Sequence, residues 1–126
     1  MKKLPESELD IMMCLWEAGE SVQRNYFNKH FDWADSTILT LLSRLIDKGF
    51  IVCTKNGNKN VYTALITKED YLKVENRSFL HKLHKGSLKH FVVSLVDADS
   101  LTENDIDDLE KLLNELKHKS KEADYD

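Results

Sequence analysis

The run Asp35-Ser36-Thr37-Ile38-Leu39-Thr40-Leu41-Leu42-Ser43-Arg44-Leu45-Ile46-Asp47-Lys48-Gly49 decides the fold. Placed on a helix at about 100° per residue, it divides into two sides. Ile38, Leu39, Leu41, Leu42, Leu45 and Ile46 take one side, at the spacing of a helix lying on a core. Ser36, Thr37, Thr40, Ser43, Arg44, Asp47 and Lys48 take the other. That second face carries short hydroxyls and one arginine where a merely solvated face carries lysine and glutamate. Short hydroxyls let a helix backbone approach a phosphate or a base edge, and arginine reaches guanine with two hydrogen bonds. The face therefore reads as the groove side of a DNA recognition helix. The plain alternative is a hydroxyl-rich solvated face, and the flanking elements decide between the two.

On the C-terminal side, Gly49 stops the helix and Phe50 to Lys55 form a β-rich run. Asn56-Gly57 then signals a hairpin, because both central residues of a type I′ turn need a positive φ. Val61 to Ile66 return as the second strand. A hairpin directly after a recognition helix is a wing. Its tip, Lys55 to Asn60, offers donors and no carboxylate, which suits a phosphate backbone.

On the N-terminal side, Ser7 is placed to cap a first helix over about residues 7–18, with Leu9, Met12, Met13 and Trp16 as its stripe. Ser21-Val22 suits a short strand. A second helix follows from about Gln23 to His30, with Arg24, Asn25, Asn28 and Lys29 outside. Phe31 to Ala34 turn the chain into the recognition helix, capped by Asp35 or Ser36. Two helices joined by a short turn, the second with a reading face, make a helix-turn-helix.

After the wing, Thr67 with Asp70 caps a long helix reaching about Lys85. Ser87 caps a short one over Leu88 to Val96, and Thr102 with Asp105 caps an amphipathic one over Asp105 to Lys119. Glu122 to Asp126 read as a frayed tail. Tyr71, Val74, Phe79, Leu83, Phe91, Leu95, Ile106, Leu109, Leu113 and Leu116 exceed what three such helices can cover among themselves. A second copy related by a two-fold axis is the economical cover. The fold class is thus mainly α with a small β-hairpin: a winged helix-turn-helix over residues 1–66, then dimerisation helices over 67–126.

The net charge of −4 is unevenly placed. Residues 1–66 hold eight Lys/Arg and eight Asp/Glu, residues 67–96 six and three, residues 97–126 four and eleven. From Ser36 to Thr63 the cations Arg44, Lys48, Lys55 and Lys59 face Asp47 alone, and local charge governs phosphate contact. The DNA-binding set on this reading is Ser36, Thr37, Thr40, Ser43, Arg44, Lys48, Lys55, Asn58 and Lys59. So modest a footprint favours a dimer on two half-sites. No apolar run reaches the length of a membrane span, and Pro5-Glu6-Ser7-Glu8 stands where a signal peptide needs apolar residues, so the chain reads as cytoplasmic. Cys14 and Cys53 read as separate buried thiols, and His81, His84 and His90 as surface histidines on a lysine-rich helix, with no metal or other cofactor assigned. No phosphate loop or nucleophile motif supports an enzyme. A winged helix that binds a protein partner, with no DNA specificity of its own, is the alternative reading.

Three blocks carry a family resemblance. They are Glu8 to Met12 with Leu15-Trp16, Thr37 to Ile51, and the Lys55-Asn56-Gly57 wing. Together, over Leu4 to Leu116, the chain resembles the penicillinase repressor family, the BlaI/MecI group with the copper-responsive CopY repressors as relatives. The resemblance implies a homodimeric repressor of a double-stranded DNA operator, with Thr37, Thr40, Ser43 and Arg44 facing the groove and Lys55 and Lys59 on the wing. It also brings departures. Positions often basic in the family are Ser36 and Leu39 here. In the β-lactam branch an upstream membrane sensor triggers cleavage of an Asn-Phe bond. The corresponding bond here is Ser94-Leu95, and no cleavage is assigned. The copper branch binds metal through C-terminal cysteines that this sequence lacks.

Overall fold

Helix α1 (Glu6–Ala18) opens the computed structural model, which describes the backbone of residues 1–124 and the side chains of residues 1–120. It starts ahead of the expected Ser7 cap. Pro5 sits at φ −58° and its carbonyl accepts the Leu9 amide at 2.9 Å, so proline's fixed φ starts the helix and no side-chain cap bond forms. Strand β1 (Val22–Gln23) and helix α2 (Arg24–His30) follow.

Helix α3 (Asp35–Asp47) buries Ile38, Leu41, Leu42 and Leu45. Leu39 and Ile46, expected on the apolar side, are exposed at its border. Ala34 occupies the cap position without a side-chain bond, so neither expected cap residue serves as one. Asp35 lies in the first turn instead, where its charge suits the helix dipole, and it accepts a hydrogen bond from Asn28 Nδ2. The far end closes as a Schellman motif. Gly49 at φ 81° donates to Ile46 O at 3.0 Å, and Phe50 N to Leu45 O at 2.9 Å. Phe50 is itself buried, so the motif fixes where the wing departs.

Strands β2 (Ile51–Asn56) and β3 (Lys59–Ala64) form the hairpin, with Asn56 opposite Lys59 and Ile51 opposite Ala64. The two central turn residues are Gly57 and Asn58, one step on from the expected pair. Gly57 has φ 69° and Asn58 a negative φ, the pattern of a II′ turn rather than a I′ turn. Lys59 and Asn60 therefore belong to a strand. β1 pairs antiparallel with β3, Val22 opposite Tyr62, giving the order β1-β3-β2.

The core joins Ile11, Met12 and Leu15 of α1, Phe27 of α2, the inner side of α3, and Ile51 and Tyr62 of the sheet. Tyr71 completes it from α4 (Lys68–His84), and this corrects its expected place among the dimerisation residues. It is 2% exposed, with its ring tilted against Trp16 and edge-on to Phe50. Its hydroxyl accepts from the Leu4 amide and donates to Glu75 Oε2, both at 2.8 Å. Burial, with smaller contributions from Glu75, pushes the Tyr71 hydroxyl up to about 12. The neutral phenol is thus favoured in the folded chain. Its stabilisation is complete below the ordinary tyrosine value of about 10 and is lost as pH climbs toward 12. Denaturation midpoints are expected to fall faster from pH 9 to pH 11 in the native protein than in Tyr71→Phe. Equal slopes would remove Tyr71 from the alkaline transition.

The chain divides into two compact units, the first ending at Phe79 and the second beginning at Leu80. The first unit includes the start of α4, where Tyr71 joins the first core. The Thr67 cap forms as expected, Asp70 N donating to Thr67 Oγ1 at 3.2 Å.

In the second unit, Ser87 Oγ caps α5 (Leu88–Asp97) by accepting His90 N at 3.0 Å. Thr102 and Asp105 form the expected reciprocal box, at 3.0 and 3.1 Å, at the start of α6 (Glu103–Asp124). α6 is longer than expected. The tail read over Glu122–Asp126 is helical through Asp124, and its last two residues lie outside the described residues. His84 Nδ1 and His90 Nδ1 share a hydrogen bond of 2.7 Å.

Candidate nucleic-acid interface

Ser36, Thr37, Thr40, Ser43 and Arg44 all lie on the solvent side of α3, held there by the four buried residues of its inner side. Thr40 differs from its neighbours. Its Oγ1 donates to Ser36 O at 2.8 Å, so outward it offers oxygen lone pairs and a methyl. Arg44 has no ion-pair partner among the described residues, and the same holds for Lys55 and Lys59 of the wing. Asn58 stands exposed in the turn between them.

Lys48 departs from expectation. It is the C-cap residue of α3, and its Nζ forms a salt bridge with Glu8 Oε1 of α1. Glu8 is 2% exposed, so Lys48 neutralises a buried carboxylate while its own side chain stays 42% exposed. Sequence reasoning missed the pair because forty positions separate its members. The available signal was an acid at Glu8 inside the buried side of α1, whose neighbours Ile11, Met12 and Leu15 are core.

Helix α2 is tied to the start of α3 as well. Asn28 bonds Asp35, and Arg24 Nη2 lies 3.9 Å from Asp35 Oδ2. Beside these, a shallow cleft opens between α2, α3 and the wing, lined by Gln23, Arg24, Asn25, Leu39, Lys59, Asn60 and Tyr62.

The expected dimerisation residues other than Tyr71 fall into two groups. Val74, Phe91 and Leu95 are half-buried. Phe79, Leu83, Ile106, Leu109, Leu113 and Leu116 are exposed. Burial pushes the Cys14 thiol up, as suits an inert core cysteine, and Cys53 is half-buried in β2. No three His, Cys, Asp or Glu side chains among the described residues gather as a metal site. Among the described residues no helix is long and apolar enough to cross a membrane.

The family model described as "Penicillinase repressor" matches residues 4–115. The chain belongs to the penicillinase repressor family. It is 35% identical to the penicillinase repressor of Bacillus licheniformis, over 97% of this chain and 100% of that one. It is 27% identical to the methicillin resistance regulatory protein MecI of Staphylococcus aureus, over 89% of this chain and 94% of that one. A mutant of Lactococcus lactis ZitR is similar in structure at a TM-score of 0.48 and 14% identity, covering 94% of this chain and 76% of that one. As a family member, the chain sets its winged helix-turn-helix ahead of the helices α4 to α6.

Proposed function

We propose that this penicillinase repressor family member is a homodimeric transcriptional repressor that binds a two-fold DNA operator through α3 and the wing. One observation carries the reading. The exposed face of α3 and the acid-free wing present Arg44, Lys55 and Lys59, all without ion-pair partners among the described residues. Lys55, Asn58 and Lys59 hold the phosphate backbone and set the register. Ser36, Thr37, Ser43 and Arg44 face base edges in the major groove, with Thr40 contributing its methyl and lone pairs. The exposed apolar side chains of α6 meet a second copy, so the two reading helices address two half-sites. Two copies are also what the modest cation count requires for useful affinity. The repressors named among the relatives support the regulatory role, and a cytoplasmic place of action accompanies it.

The test is fluorescence anisotropy with the DNA upstream of the protein's own gene and a scrambled duplex, each at two salt concentrations. Tight binding to the upstream DNA alone, weakening steeply with salt, is the expected result. Absence of binding to either duplex at low salt would sink the reading in favour of a protein-binding winged helix. Arg44→Ala is expected to lose about 2 kcal/mol of operator affinity and to relax selectivity at one base pair per half-site. Uniform weakening on every sequence would make Arg44 a phosphate contact instead.

A further inference from the structure

Leu39 interrupts a face that is otherwise polar. It is 42% exposed, although Ile38, Leu42 and Leu45 on the same helix are almost fully buried. The core does not need it. Its surroundings are specific, however. The cleft it lines takes Arg24 and Asn25 from α2 and Lys59 and Asn60 from β3, with no carboxylate among its lining residues. Arg24 Nη2 lies 3.9 Å from Asp35 Oδ2 in an exposed pair, Arg24 itself being 43% exposed. The result is one exposed leucine set among hydrogen-bonding side chains.

Major-groove DNA presents that pattern in reverse. The C5-methyl of thymine is the apolar group that a base pair shows there, and phosphates line both margins of the groove. A protein partner would match the leucine but leaves the hydrogen-bonding side chains around it unexplained. Resting on the reading of α3 as the groove helix, we propose that Leu39 reads a thymine methyl in each half-site, with Arg24 and Lys59 holding the phosphates beside it. The operator then carries an obligatory thymine at the position facing the cleft.

The test begins with duplexes enriched by the full-length protein from a randomised library. Each enriched duplex is remade with deoxyuridine for thymidine, one position per half-site at a time, which removes only the methyl. Anisotropy is then measured with the native protein and with Leu39→Ala. At one position the native protein is expected to lose about fourfold per half-site, the worth of one buried methyl. Leu39→Ala should lose as much on the thymine duplex and nothing more on the uracil duplex. Native binding that ignores every uracil, or a Leu39→Ala protein as uracil-sensitive as the native one, overturns the proposal and leaves the operator reading standing. A library from which no sequence is enriched overturns both. If Leu39→Ala fails to fold, Leu39→Gln takes its place in the same series, with the same outcomes expected.

Discussion

Replacing Leu109 and Leu113 together by lysine is expected to leave the protein monomeric in sedimentation velocity and to lower operator affinity about a thousandfold, roughly 4 kcal/mol. Both residues lie on the apolar seam of α6 with Ile106 and Leu116, and Leu113 is 55% exposed. None of the described residues of α5 or α6 is fully buried. An isolated amphipathic helix of this composition gains little from folding unless its seam is covered. A two-fold pairing covers the seam twice over, so each substitution places two charges in the interface. The affinity loss comes from bivalency: a second half-site held near the first raises the effective concentration of the second binding event. The core of the first unit runs from Leu4 to Tyr71, so circular dichroism and the Tyr71 environment report whether that unit stays folded. A double variant that remains dimeric would move the interface away from α6.

The order of elements was legible because α3 carries a clean helical period, Gly49 ends it, and a turn dipeptide follows. The periodicity placed Ile38, Leu42 and Leu45 correctly, but it could not fix the edge of the stripe, where Leu39 and Ile46 prove exposed. The sequence Asn56-Gly57-Asn58 holds two overlapping turn signals, and strand register selects between them. Tyr71 was misplaced for a related reason. Its helix has apolar residues on several sides, and only the tertiary fold shows that the first turn of α4 closes the core above Trp16 and Phe50. The exposed polar face of α3 and the wing depend on one helix and one hairpin, both local, so their residues emerge together. What holds that face at its angle is long-range, and local pattern does not encode it.

The clearest case is Lys48. Lys48→Ala is expected to cost about 3 kcal/mol of stability, whereas Lys55→Ala and Lys59→Ala stay within about 0.5 kcal/mol. Glu8 is buried, and Lys48 is its ion-pair partner across α1 and α3. Removing the ammonium leaves a carboxylate desolvated without compensation. Lys48 is itself 42% exposed, so entering water holds the loss near the lower edge of the range for a buried pair. The cation also sits at the C-terminal end of α3, where the helix dipole favours it. Glu8→Gln in the Lys48→Ala background is expected to recover most of the lost stability, since an amide tolerates that site better than an unpaired charge. DNA binding separates the roles further. Lys55→Ala should lower the salt dependence by about one counterion per subunit, while Lys48→Ala should weaken binding at an unchanged salt slope, by letting α3 shift on α1. A Lys48→Ala protein of native stability with a reduced salt slope would return Lys48 to the phosphate-binding set.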